Sequence, residues 1–205
     1  MYLYPKWIRF WHWLNAILFI ILIVTGISMQ YTDKENPAYM VSFAKAVKVH
    51  NIAALILVAN YVFFVIGNAF TKNGDYYRFD RRRLISDLVV QAKYYAWGMF
   101  KGEKHPFPVT EERKFNPLQK FTYVLAMYIG MPLLIISGFV LLFPDIAVKN
   151  IFGISGLVLN DIIHISTGFL LSIFMIVHIY TCTLGSKPSS LFWGMISGYH
   201  RSDDH

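Results

Sequence analysis

The sequence predicts an all-α membrane protein, a four-transmembrane-helix up-down bundle with an amphipathic interfacial helix in its inner loop. Three observations carry this. Only 15% of the residues are charged and 56% are hydrophobic, whereas about a quarter of a soluble domain is charged. The charges avoid four windows, 10–32, 49–71, 121–144 and 162–186, each 23 to 25 residues long. About 20 apolar residues cross a bilayer core of roughly 30 Å. Finally, the basic residues sort by loop, as they do on the two sides of a membrane.

The first span is expected at about 8–32, behind Lys6 and Arg9. Its apolar stretch is longer than the roughly 7–15 residue core of a signal peptide, and no small-x-small cleavage site follows. Spans two to four are expected at about 48–71, 119–144 and 160–185, within a single domain covering residues 1–205. Of the 19 basic residues, Lys34, Lys45, Lys48 and Lys149 lie in the first and third connections. The others lie in the N-terminus, the 72–120 connection and the tail. Both termini and the long middle loop therefore face the cytoplasm, and the two shorter connections face outward. The net charge of +7 is thus a topology signal that suits anionic lipid head groups. It is not a nucleic-acid footprint.

The inner connection carries "LISDLVVQAKYYAWGMF", which places Leu84, Leu88, Ala92, Tyr95 and Met99 at helical spacing. Such a helix, with Tyr and Trp beside a membrane, lies in the interface. The tail from Pro188, "PSSLFWGMISGYH", is a weaker candidate for the same role. An internal echo links "IVTGISM" in the first span with "IISGFVL" in the third. Gly26 and Gly138 in these stretches either allow close helix packing or leave room for a bulky flat group. The one cysteine, Cys182, excludes an intramolecular disulfide and a cysteine-held iron–sulfur cluster within this chain. It reads as a small buried hydrophobe.

Four histidines, His12, His50, His164 and His178, fall inside the charge-free windows, where an ionisable residue signals function. The topology places His12 near the inner end of span one and His50 near the outer end of span two. His164 opens span four on the outer side, and His178 lies fourteen residues, or about 21 Å, deeper on nearly the same face. By depth, His12 pairs with His178 on the inner side and His50 with His164 on the outer. Two facing imidazoles in a dry bundle suit bis-axial ligation of a haem iron. Zinc normally takes three or four protein ligands, and a proton relay across the membrane would need carboxylates that the charge-free windows lack. No C-x-x-C-H occurs, so the expectation is two b-type haems, non-covalent and bis-His, that transfer electrons. Arg9, one turn before His12, either meets a haem propionate or is an ordinary inner-side anchor.

The motifs "RFWHWLN", the histidine opening span two, the H-x13-H of span four and "KFNPLQKFTY" together resemble a known family. It comprises the di-haem cytochrome b subunits of membrane-bound nickel–iron hydrogenases, formate dehydrogenases and thiosulfate reductases, which are bacterial cytochrome b561-like. The resemblance covers nearly the whole chain. It implies a membrane anchor in the bacterial cytoplasmic (inner) membrane that carries electrons between an iron–sulfur partner subunit outside and a quinone near the inner surface. The iron–sulfur subunit would in turn serve a catalytic subunit of hydrogenase, formate dehydrogenase or molybdopterin type. The resemblance also places Asn116 at the quinone pocket, with Gln119 beside it. Asn116 before Pro117 reads equally as a helix N-cap, and both roles are compatible. The alternative is a stand-alone di-haem cytochrome b that oxidises superoxide and reduces quinone without partners.

Overall fold

The computed structural model describes residues 1–33, 39–80, 82–183 and 189–200. Among the described residues, four helices are long and apolar enough to cross a membrane: α1 (Lys6–Tyr31), α2 (Phe43–Phe70), the third crossing (Pro117–Leu142) and α6 (Gly156–Cys182). Between the second and third crossings lies α3 (Leu84–Lys93), and α7 (Ser190–Ser197) closes the chain. Large apolar side chains face outward along all four long helices, among them Phe10, Ile66, Ile136 and Leu170. That is the surface expected of helices whose solvent is lipid.

All four crossings begin earlier than the charge-free windows suggest, at Lys6, Phe43, Pro117 and Gly156. Helix α2 runs on through Lys45 and Lys48, both exposed, and α6 through the exposed Asp161. The avoidance of charge marks the part of a helix that lipid surrounds, and the helix itself continues past it. The expected end of span four at residue 185 lies outside the described residues, as does Pro188 at the start of the tail segment.

The third crossing is built in three pieces: α4 (Pro117–Val124), a π-helical stretch (Leu125–Gly130) and α5 (Met131–Leu142). Pro132 explains the middle piece, because its ring leaves no N–H for the helical ladder. A local π turn absorbs that loss. Helix α3 likewise passes into a π turn, Tyr94–Gly98. Its inward face is formed by Leu84, Asp87, Leu88, Gln91 and Tyr95, while Ala92 and Met99 are exposed. The face expected from the sequence is thus rotated slightly, and a glutamine occupies its centre. Ile85, Val89, Trp97 and Phe100 form the exposed apolar side, as an interfacial helix requires.

A two-stranded hairpin precedes α6: β1 (Asn150–Ile151) pairs antiparallel with β2 (Ile154–Ser155). Its turn places Phe152 at φ 51° and Gly153 at φ 85°, the double positive φ of a tight hairpin turn. The Asn150 side-chain oxygen accepts from the Gly153 N–H at 2.8 Å.

The contacts divide into two compact units. The first comprises Met1–Arg9, Ile66–Ile129 and Phe174–His205. Within it the N-terminal segment pairs with the end of the tail, Leu3 N–H donating to the Gly198 carbonyl at 3.0 Å. Gly67 is required there, since a methyl group at that position would lie 2.5 Å from the Trp7 ring. The second unit comprises Phe10–Val65 and Gly130–Ile173. Trp11 stacks on the fully buried Phe64 at 4.2 Å, and the Asn60 amide donates to the Trp11 carbonyl at 3.2 Å.

Candidate haem-binding site

In the second unit, the His50 and His164 rings face each other with centroids 6.4 Å apart and planes crossed at 66°. Two metal–nitrogen bonds of about 2 Å, plus about 1 Å from each donor atom to its ring centre, span about 6 Å. The gap therefore fits one iron atom between two imidazoles, the arrangement of a bis-His haem. Among the described residues, no cluster of three or more His, Cys, Asp or Glu stands ready to hold a bare metal ion.

Each of these rings is held from behind. The Thr25 hydroxyl on α1 lies 2.9 Å from His50 Nδ1, and the Ser137 hydroxyl on α5 lies 3.0 Å from His164 Nδ1. Thr25 and Ser137 are buried. Asn160, one turn before His164, donates through its amide to the Ser137 carbonyl at 2.9 Å. Serine 137 thus meets α6 through both its main chain and its side chain.

The glycines of the internal echo stand next to these hydroxyl residues. A methyl group on Gly26 would lie 3.8 Å from His50 Cε1, and one on Gly138 only 3.2 Å from His164 Cε1. Gly168 packs more conventionally, where a methyl would meet Leu134 at 3.7 Å. Taken singly, Thr25 and Ser137 carry no sequence signal of this role, because a hydroxyl in an apolar helix usually bonds its own helix. The repeated hydroxyl–glycine pair was the available signal.

His12, also in the second unit, lies edge-on to Trp13 at 5.4 Å between ring centres. His178 belongs to the first unit. There the Tyr123 hydroxyl lies 3.2 Å from its Nδ1, and Phe174 lies nearly parallel to it at 6.1 Å. Cys182 Sγ is 3.9 Å from His178 Nε2, so the lone thiol is a neighbour of this histidine on its own helix. Arg9 donates from Nη1 to the Ile196 carbonyl. Its buried Nε has no hydrogen-bond partner among the described residues, which leaves one donor for an acidic group.

Asn116 and Gln119 form a complete capping box. The Asn116 side chain accepts from the Gln119 N–H at 2.9 Å, and the Gln119 side chain accepts from the Asn116 N–H at 3.2 Å. The Asn116 amide then donates to the Tyr95 hydroxyl at 2.8 Å. Tyr95 sits in the π turn after α3, and burial raises its hydroxyl above the ordinary value. The N-cap reading of Asn116 is therefore realised, with one amide hydrogen left over.

Sequence reasoning also missed Lys114. It is 5% exposed, and its ammonium donates to the Asn73 side-chain oxygen at 2.8 Å. The Tyr76 and Tyr4 rings face it at 4.5 and 5.3 Å. Asn73 in turn donates to the Asn68 side chain at 2.7 Å. Burial pushes the Lys114 ammonium down to about 8 and the Tyr4 hydroxyl up to about 12. Two aromatic faces replace the carboxylate that a buried lysine ordinarily requires.

The profile of prokaryotic cytochrome b561 matches residues 3–198. An Escherichia coli (strain K12) protein named "Putative cytochrome YdhU" is 38% identical over 202 residues, covering 98% of this chain and 75% of that protein. No solved structure matches the chain.

Proposed function

Because this chain belongs to the prokaryotic cytochrome b561 family, and is thereby a multi-pass membrane cytochrome of the b type, we propose that it is the di-haem anchor of a respiratory oxidoreductase. In this reading His50 and His164 are the axial ligands of an outer haem, and His12 and His178 those of an inner one. The observation that carries it is the iron-sized gap of 6.4 Å between the His50 and His164 ring centres. Haem supplies a one-electron carrier. The chain supplies the imidazoles, the dry apolar surroundings and the fixed ring orientations that keep both axial positions filled. A haem held between these two imidazoles would serve as an electron carrier and would leave no position for substrate.

The proposed route runs between an iron–sulfur subunit on the outer side and a quinone near the inner side of the bacterial cytoplasmic membrane. The loop distribution of Lys and Arg supports a cytoplasmic location for both termini. A catalytic subunit of hydrogenase, formate dehydrogenase or molybdopterin type would complete the complex. The spare hydrogen of the Asn116 amide and the hydroxyl hydrogen of Tyr95 are the donors offered to a quinone carbonyl. Gln119 keeps Asn116 in place through the reciprocal cap.

The test is haem content and a reduced-minus-oxidised spectrum of the detergent-purified chain. About two b-type haems per chain are expected, and about one in His50→Ala or His164→Ala. A haem content untouched by either substitution would rule the reading out. Recovery of the chain alone, with full quinone reduction from superoxide, would replace the complex by the stand-alone enzyme.

A further inference from the structure

The hydroxyls behind the outer histidines have only one proton each, and where it goes decides the state of the ring. Thr25 Oγ1 lies 2.7 Å from the Ile21 carbonyl and 3.2 Å from the Leu22 carbonyl, on its own helix. Ser137 Oγ lies 2.7 Å from the Leu133 carbonyl and 3.1 Å from the Leu134 carbonyl. In both residues the shortest contact of the hydroxyl is to a backbone acceptor four residues back. That contact takes the proton. The oxygen then turns its lone pairs toward imidazole Nδ1, at 2.9 Å for His50 and 3.0 Å for His164.

Only the tautomer with hydrogen on Nδ1 satisfies both contacts of each hydroxyl at once. The opposite tautomer would force the hydroxyl to choose between the carbonyl and the ring. A hydrogen on Nδ1 leaves the Nε2 lone pair free, and a hydrogen-bonded Nδ1–H makes that lone pair more basic. The same contact fixes each ring about its long axis, which accounts for a defined crossing angle of 66°. The neighbouring glycines complete the arrangement. Beside His164 a side chain at position 138 would already crowd Cε1 at 3.2 Å.

We propose that Thr25 and Ser137 are positioning residues that set the tautomer, orientation and donor strength of His50 and His164 toward the outer haem iron. The two hydroxyl–glycine pairs, Thr25–Gly26 and Ser137–Gly138, are one device used twice, and they explain why "IVTGISM" and "IISGFVL" resemble each other. The proposal rests on the reading of His50 and His164 as a ligand pair. Loss of an acceptor behind an imidazole weakens the ligand's donation and destabilises ferric iron. The midpoint potential of that haem should therefore rise.

The experiment is a redox titration, with low-spin ferric EPR, of the full chain in detergent. Thr25→Val and Ser137→Ala should each retain both haems and raise the midpoint of one haem while the other stays put. The EPR line of that haem, which reports the angle between the imidazole planes, should move in the same variants. Thr25→Ser and Ser137→Thr should restore both readouts, and the double variant should exceed either single one. If Thr25→Val does not accumulate, Thr25→Ala and Ser137→Ala are read in its place. Wild-type potentials and EPR lines in the hydroxyl variants would overturn the proposal and leave the ligand pair standing. Undiminished haem in His50→Ala and His164→Ala would overturn the ligand pair, and the proposal with it.

Discussion

The Tyr123 hydroxyl lies 3.2 Å from Nδ1 of His178, the third histidine to meet a hydroxyl on a neighbouring helix. Tyr123 and Ser137 are fourteen residues apart in the third crossing, as are His164 and His178 on α6. Each histidine of the H-x13-H pair thus meets a hydroxyl of the third crossing within its own unit. If His178 holds a haem, as proposed, Tyr123→Phe should keep it, because the hydroxyl meets Nδ1 and leaves Nε2 for the iron. It should cost about 1 kcal/mol of stability, the net worth of one hydrogen bond, and shift the midpoint of the haem bound at His178. Redox titration beside a thermal melt checks this, and a melt that falls with no change in potential would reduce Tyr123 to packing.

The two glycines of the repeated pair should respond unequally to alanine. At Gly138 the new methyl would sit 3.2 Å from His164 Cε1, and at Gly26 it would sit 3.8 Å from His50 Cε1. The first requires a shift of helix or ring, at a cost of about 1–3 kcal/mol; the second is an ordinary contact. If His164 holds a haem, as proposed, Gly138→Ala should lose haem and melt earlier, while Gly26→Ala stays near wild type. Loss of haem in Gly26→Ala with an unchanged melt would instead mean that the macrocycle lies against α1 at that point.

Asn116 serves two partners that substitution can separate. Asn116→Ala removes the cap, at about 1 kcal/mol, and leaves the Tyr95 hydroxyl without its 2.8 Å donor. Asn116→Asp retains a capping oxygen and loses only the donor. Thermal unfolding should rank wild type above Asp and Asp above Ala. If Asn116 also meets a quinone, quinol-driven reduction of the haems should fall in Asn116→Asp by more than its small change in stability explains.

Lys114 gives the protein a stability that depends on alkaline pH. Its folded-state value, about 8, lies below the ordinary lysine value of 10.5. Between the two, the unfolded chain binds a proton that the folded chain has released, so stability rises with pH across that window. Below pH 8 the cost of burying the ammonium is present in full. The melting temperature of wild type relative to Lys114→Met should therefore increase from pH 7 to pH 9.5. A difference that stays constant with pH would show that the ammonium carries no burial cost.

The spans were legible in the sequence because lipid excludes charge, and charge can be counted. Their ends were not, since Lys45, Lys48 and Asp161 sit on exposed helical turns that the exclusion does not reach. The π turn of the third crossing follows from Pro132, yet its placement at Leu125–Gly130 depends on packing around it. On α3, Gln91 takes the buried place expected for Ala92, because a one-residue rotation of the wheel moves a whole face. Gln91 is completely buried, which its polarity gave no reason to expect.

The sequence by itself determined four apolar crossings and the four histidines that lie within them. These follow from local chemistry: the cost of burying charge, the rise of a helix and the rarity of an ionisable ring among apolar residues. Only the tertiary structure decided what stands behind each ring. Thr25 reads from sequence as a hydroxyl bonded to its own helix, and it is; its second contact, to His50, exists because two helices separated in the chain pack at one register. Such contacts leave no local trace in the sequence, since either partner alone is an ordinary residue.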